Sequence, residues 1–160
     1  MSARFLPGAA LIAGAFSIIS LGCGGQPPAP QPASAERPEE VRARECTSLV
    51  TVINISAEQI NGLGDAGTAF TDSQLAAIAS ALETAAARTQ TLTLTDRALQ
   101  QRAAEYKEMA GRYAANVRVI IAARQANDLP RWEAATVAAQ AAGESEDRII
   151  ASINAFCSAP

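Results

Sequence analysis

The stretch Leu99–Gln125 reads LQQRAAEYKEMAGRYAANVRVIIAARQ. Leu99, Ala103, Tyr106, Ala110, Tyr113, Val117 and Ile120 recur in alternating steps of four and three. Those steps put all seven on one stripe of a helix, a heptad seam of the coiled-coil kind. Thr95 or Asp96 can cap its start. Asn127-Asp128-Leu129-Pro130 marks a turn and a new start, so the helix should end near Gln125. A helix with so sustained a seam needs partners, and the rest of the chain has to supply them.

Upstream, Leu75, Ile78, Ala79, Leu82 and Ala86 keep helical spacing. Thr71-Asp72-Ser73-Gln74 ahead of them fits a capping box, with Thr71 accepting from the third amide and Gln74 reaching back. Downstream, Trp132, Ala135, Ala139, Ala142, Ile149, Ile153 and Phe156 form a last stripe. The first element is more ambiguous. Cys46, Leu49, Val50, Ile53, Ala57 and Ile60 fit a helix face, yet Leu49–Ile55 is rich in β-branched residues. TQTLTLT at Thr89–Thr95 alternates like a strand. A lone two-stranded ribbon is marginal in water, so the sequence favours a helix first and a loop second. Gly62, Gly64 and Gly67 mark the turn between the first two helices. The expected fold is all-α, an antiparallel up-down four-helix bundle over residues 41–160.

The N-terminal quarter is different. Arg4 is the only charge before Glu36, and Phe5–Leu21 is an uncharged, largely apolar run. It is close to the ~17-residue lower limit of a membrane span and carries Pro7, Gly8 and Gly14. A positive start, an apolar core and a small-residue exit read as an export signal over residues 1–22. The run closes on Ser20-Leu21-Gly22-Cys23, which resembles a bacterial lipobox, with Ser20 where that family usually has leucine. The resemblance implies that Cys23 takes a diacylglyceryl group on its thiol, becomes the new N-terminus and is acylated with palmitate-type chains. It implies a lipoprotein held in the cell envelope. Gly24, in place of the aspartate that retains enteric lipoproteins in the inner membrane, points to an outer-membrane location facing the periplasm. Two or more chains on one residue make a stable anchor. Residues 23–40, GGQPPAPQPASAERPEE after the cysteine, are proline-rich and lack large apolar side chains. They read as a flexible tether.

The lipid on Cys23 leaves Cys46 and Cys157 of the three cysteines. In an up-down bundle the start of the first helix and the end of the fourth share one end, and an exported protein can keep a disulfide. A Cys46–Cys157 bond is therefore expected. The mature domain also resembles, weakly, uncharacterised secreted helical lipoproteins with a cysteine near each end, and that likeness implies no activity.

Chemistry is scarce. There is no histidine, which removes Ser-His-Asp and Cys-His systems, histidine metal sites, CxxCH haem attachment and the Glu-x-x-His motif of di-iron bundles. Gly62-Leu63-Gly64 lacks the strand and third glycine of a phosphate loop. Residues 41–160 hold eleven basic and thirteen acidic residues with the signs mixed, a net charge of −2. No basic face for nucleic acid follows. The sequence predicts no enzyme, no metal and no cofactor.

Two features remain. At 100° per residue Glu146 falls within the apolar stripe of the last helix, facing Ala57 and Ala110 with Tyr106 and Tyr113 near. Buried there, its carboxyl would have a raised pKa and mark a polar pocket. The blander alternative, which rests on the rarity of unpaired buried charge, has Gly143 kink the helix and turn Glu146 to water. Trp132, Tyr106, Tyr113 and Phe156 read as core aromatics. The favoured function is a non-enzymatic, lipid-anchored envelope module whose bundle contacts another envelope protein or the wall. The alternative is a periplasmic carrier or sensor holding a small apolar ligand. An exposed apolar groove favours the first; an enclosed pocket of ~300 Å³ or more favours the second.

Overall fold

A computed structural model describes residues 36–64 and 70–159. The lipobox with Cys23, the tether up to Ala35 and Gly67 lie outside the described residues. Four helices follow one another: α1 (Pro38–Asn61), α2 (Asp72–Gln90), α3 (Arg97–Gln125) and α4 (Leu129–Cys157). No strand occurs among the described residues, and the helices pack as the antiparallel all-α bundle that the heptad seam called for.

Each terminus has a local cause. α1 starts at Pro38, inside the stretch read as tether, so the boundary moves back from Val41. Pro38 brings a φ already suited to the first turn, and Glu39 and Glu40 favour the positive end of the helix dipole. Glu40 also accepts the Arg37 backbone N–H at 3.2 Å. α2 opens on the expected capping box. Gln74 N donates to Thr71 Oγ1 at 3.2 Å, and Thr71 N donates to Gln74 Oε1 at 2.9 Å. α3 is capped by Asp96, which accepts from Ala98 N at 2.8 Å and Leu99 N at 3.0 Å. It ends in a Schellman motif. Asn127 takes a φ of +53°, Asp128 N donates to Ala123 O at 2.9 Å, and Asn127 N donates to Arg124 O at 3.2 Å. Asp128 then caps α4 through Arg131 N.

The strand-like TQTLTLT divides. Thr89 and Gln90 finish α2, with the buried Thr89 hydroxyl donating to Ala85 O at 2.8 Å. After Thr91, which still has helical backbone angles, Leu92–Thr95 is an irregular connection whose Leu92 and Leu94 pack on the core. The alternation was real; what it lacked was a partner strand.

α3 is the central helix. It packs along both α2 and α4, whereas α1 rests mainly on α2 and touches α3 and α4 little. Six of its seven seam residues are buried and Tyr113 is half-buried, with Met109 and Ala114 buried beside the seam. Tyr106, Leu49, Leu82, Leu99, Met109 and Ile153 are the largest fully buried side chains. α1 buries Cys46, Leu49, Val52, Ile53 and Ser56, and leaves Ala57 exposed.

Two ties hold α1 to the start of α3 and the end of α4. Cys46 and Cys157 are disulfide-bonded with Cα atoms 5.7 Å apart. One residue earlier, the carboxylate of Glu45 is 4% exposed and caps the entry to α3. It accepts from Thr95 N at 2.8 Å, Thr95 Oγ1 at 2.7 Å and Asp96 N at 3.2 Å. Burial alone would raise its pKa; the bonds from Thr95 and Asp96, helped by Arg44, overcome that and hold it below the usual range. A depressed carboxylate stabilises the fold above its unfolded pKa, and that contribution is lost as pH falls through the folded value.

Glu45→Ala should cost about 2 kcal/mol at pH 7, the scale of charge-assisted hydrogen bonds lost from a partly buried site. The cost should shrink in acid, as read from urea melts at pH 7 and pH 3; an equal cost at both would contradict the capping role. Reduction of the Cys46–Cys157 bond, which spans 111 residues, should lower the melting temperature. Helical circular dichroism should survive at 25 °C, because the loss is bounded at ~4.7 kcal/mol by the entropy of so long a loop.

Candidate functional site

The polar cluster is built by helix register. Arg102 Nε donates to Ser152 Oγ at 3.1 Å, which fixes α3 against the antiparallel α4. Counting back from Ser152 sets Glu146 opposite residue 108, between the levels of Tyr106 and Tyr113. α4 runs unbroken through Gly143, and Glu146 is half-buried instead of being turned out to water. Desolvation raises its pKa, and the neighbouring Asp147 adds to the effect. Tyr106 is fully buried and its pKa is pushed up to about 12, first by desolvation and then by the charge of Glu146. Tyr113 is raised by the same two causes in the same order.

The cluster therefore brings together three residues singled out in the sequence, with one change of neighbour. Ser56, not Ala57, is the small residue that α1 buries at this end of its apolar face. A four-residue step from Ile53 leads to Ala57, but α1 is rotated so that Val52 and Ser56 face inward. Ser56 acts on the Tyr106 phenol, although no hydrogen bond is made to Tyr106 Oη.

The second feature follows from how little of α4 is covered by α1. Beyond the disulfide, α1 runs from Cys46 only to Asn61, about 23 Å, while α4 extends from Cys157 back to Leu129, about 42 Å. The first half of α4 gets little cover from α1, which packs mainly on α2 and ends beside its start, where Gln74 Nε2 donates to Leu63 O at 2.6 Å. Ala135 and Ala139 bury against Ile120 of α3, and little else of this half is covered. Between it and the start of α2 is an open groove of about 680 Å³. Phe70, Leu75, Ile120, Ala123, Leu129 and Trp132 line it, with Thr136, Asn127, Asp128 and Arg124 at the rim. Arg124 is already engaged, donating to Phe70 O at 2.9 Å and lying 3.3 Å from Asp72.

This corrects the reading of Trp132 as core. It is 36% exposed, and Leu129 and Val137 are 59% and 65% exposed. Of the last stripe, only Ala135, Ala139 and Ile153 are fully buried. Phe156 is partly buried, with the Arg102 and Arg42 guanidinium carbons 4.7 Å and 5.8 Å from its ring centroid. Sequence reading missed the groove because it compared helix faces, and a face does not say which neighbour covers it. It also missed Glu45, an acid on the same face as Leu49, Val52 and Ser56.

Chemically the groove offers mainly apolar surface, with Arg124, Asn127, Asp128 and Thr136 as its polar groups. Among the described residues no three His, Cys, Asp or Glu side chains gather as a metal site, and no helix is long and apolar enough to cross a membrane. The chain matches no protein-family model, no curated protein and no solved structure.

A carboxyl whose folded pKa is raised contributes stability that is present below its unfolded pKa and lost as pH rises through the folded value. Glu146→Leu is therefore expected to raise the melting temperature more at pH 7 than at pH 4, read by thermal scans at the two pH values. An unchanged profile would place the carboxyl in bulk water.

Proposed function

We propose that the protein is a non-enzymatic cell-envelope lipoprotein, anchored by acyl chains on Cys23 and held off the membrane by its proline-rich tether, whose bundle is an interaction module for another envelope protein. One observation carries the interaction part: the groove lined by Leu129, Trp132, Phe70 and Ile120 is apolar and largely open to solvent. Aromatic and large aliphatic side chains exposed together are what protein-binding surfaces concentrate. A carrier of small apolar molecules needs enclosure, which an open groove does not give. Wall contact needs polar and charged surface, which the groove interior lacks. The lipid-anchored part rests on the lipobox-like Ser20–Cys23 and on the oxidised Cys46–Cys157 pair, which suits an exported protein.

Mass spectrometry of the mature N-terminus is expected to find acylated Cys23, and Cys23→Ser to release the protein from the membrane fraction. An unmodified N-terminus at Glu36, after the small-x-small Ala33-Ser34-Ala35, would replace the anchor with ordinary secretion. For the groove, a photo-crosslinking residue at Trp132 should trap one partner in intact envelopes, and the same residue at the exposed Thr84 of α2 should not. Loss of that adduct in Leu129→Ser, with the melting temperature kept, would tie it to the groove; equal yields at Trp132 and Thr84 would reject the reading.

A further inference from the structure

Tyr106 is fully buried, yet its hydroxyl has no hydrogen-bond partner among the described residues. A buried polar group in that condition is costly, and it persists where something else completes it. Ser56 of α1 acts on it and lowers its pKa, yet the hydroxyl is left without a hydrogen bond of good geometry. The register of α3 and α4 brings the half-buried Glu146 to the same level. The contact between α1 and α4 is slight and is pinned by the disulfide at one end. An orphaned hydroxyl on α3 and a carboxyl on α4 thus meet where α1 gives α4 little cover.

We propose that Glu146 is a proton-operated latch: its neutral carboxyl turns inward, becomes the partner that Tyr106 lacks and ties α4 to α3 beside α1, and its carboxylate turns out to water. The charge state decides because moving a full charge into the core costs more than one hydrogen bond returns, whereas a neutral acid enters at the smaller cost of a polar group. Few charged groups bear on this position. On α4 itself Asp147 is adjacent and raises the carboxyl, with exposed Glu144 and Arg148 flanking. α3 presents Tyr106 and Tyr113, which remain neutral donors, with Glu105 and the Glu108–Arg112 pair exposed at this level; α1 presents the uncharged Ser56 with Glu58 exposed, and α2 does not pack on α4. The sense of the device is that acid tightens the seam and neutral pH loosens it.

The chain has two tyrosines, Tyr106 and Tyr113, so a full-length disulfide-bonded protein carrying ¹³Cζ-tyrosine and ¹³Cδ-glutamate gives a direct reading by NMR. The Tyr106 Cζ signal is expected to step with pH at the midpoint of the Glu146 carboxyl, above the range of the exposed glutamates. Glu146→Gln, neutral at all pH values and able both to donate and to accept, should abolish the step and hold Tyr106 at its low-pH position. Amides of α4 around Glu146 should exchange several-fold faster above the midpoint in the native protein and at one rate in Glu146→Gln. Should Tyr106→Phe fold, the Glu146 midpoint should fall; should it not, the Gln variant decides the matter. A Tyr106 signal that stays flat while Glu146 titrates overturns the latch, as does a step that survives in Glu146→Gln or exchange that ignores the midpoint.

Discussion

The bundle depends on α3 being covered on two sides at once. Its buried residues form more than the single seam: Met109 and Ala114 lie beside Ala110 and Tyr106, so the apolar arc is wide enough for both α2 and α4. Alanine at 79, 85, 103, 110, 114, 135 and 139 removes the bulk that would hold neighbouring helices apart, and close approach of backbones follows. The large side chains are concentrated where α1 joins, at Leu49, Leu82, Leu99, Tyr106 and Ile153. The core is thickest there, where alanines 79, 85, 103, 110 and 114 join the large side chains in one cluster, and it thins to Ile120, Ala135 and Ala139 toward the start of α4.

That asymmetry accounts for both candidate sites. α1 is tied to the thick end by a disulfide and by Glu45, whose carboxylate satisfies amides at the entry to α3. Past that fixed point it packs mainly on α2, and the first half of α4 is left largely exposed beside the groove at Trp132. The polar cluster lies nearer the tied end. There Ser56, Tyr106 and Glu146 meet, and the Tyr106 hydroxyl is left unpaired. Both features lie where α1 gives α4 little cover.

The periodic elements were legible in advance. The alternating steps from Leu99 to Ile120, the Thr71–Gln74 box and the Asn127–Pro130 break are local signals, and each is realised at its expected place. Pro38 with two acids was a local signal too, but proline-rich surroundings masked it. Ala57 and Trp132 went the other way. Both fit an apolar stripe by spacing and both are exposed, because a stripe states which residues are able to be buried and not which ones find a neighbour. The cluster of Tyr106, Tyr113 and Glu146 was legible as an angular coincidence; Ser56 and Glu45 were not.

By itself the sequence determined the helices, their order and direction, and the residues that had to share an end, since these follow from spacing, caps and turns within a few residues of one another. The pairing of Cys46 with Cys157 was only an expectation from up-down connectivity, and the structure brings their Cα atoms to 5.7 Å. Only the tertiary structure decided the rotation of α1, which exchanges Ala57 for Ser56, and the depth of Glu146. It also decided how far each helix reaches past its neighbour. Those depend on how four helices of unequal length settle against α3, and burial is a property of that packing that no single helix carries in its own sequence.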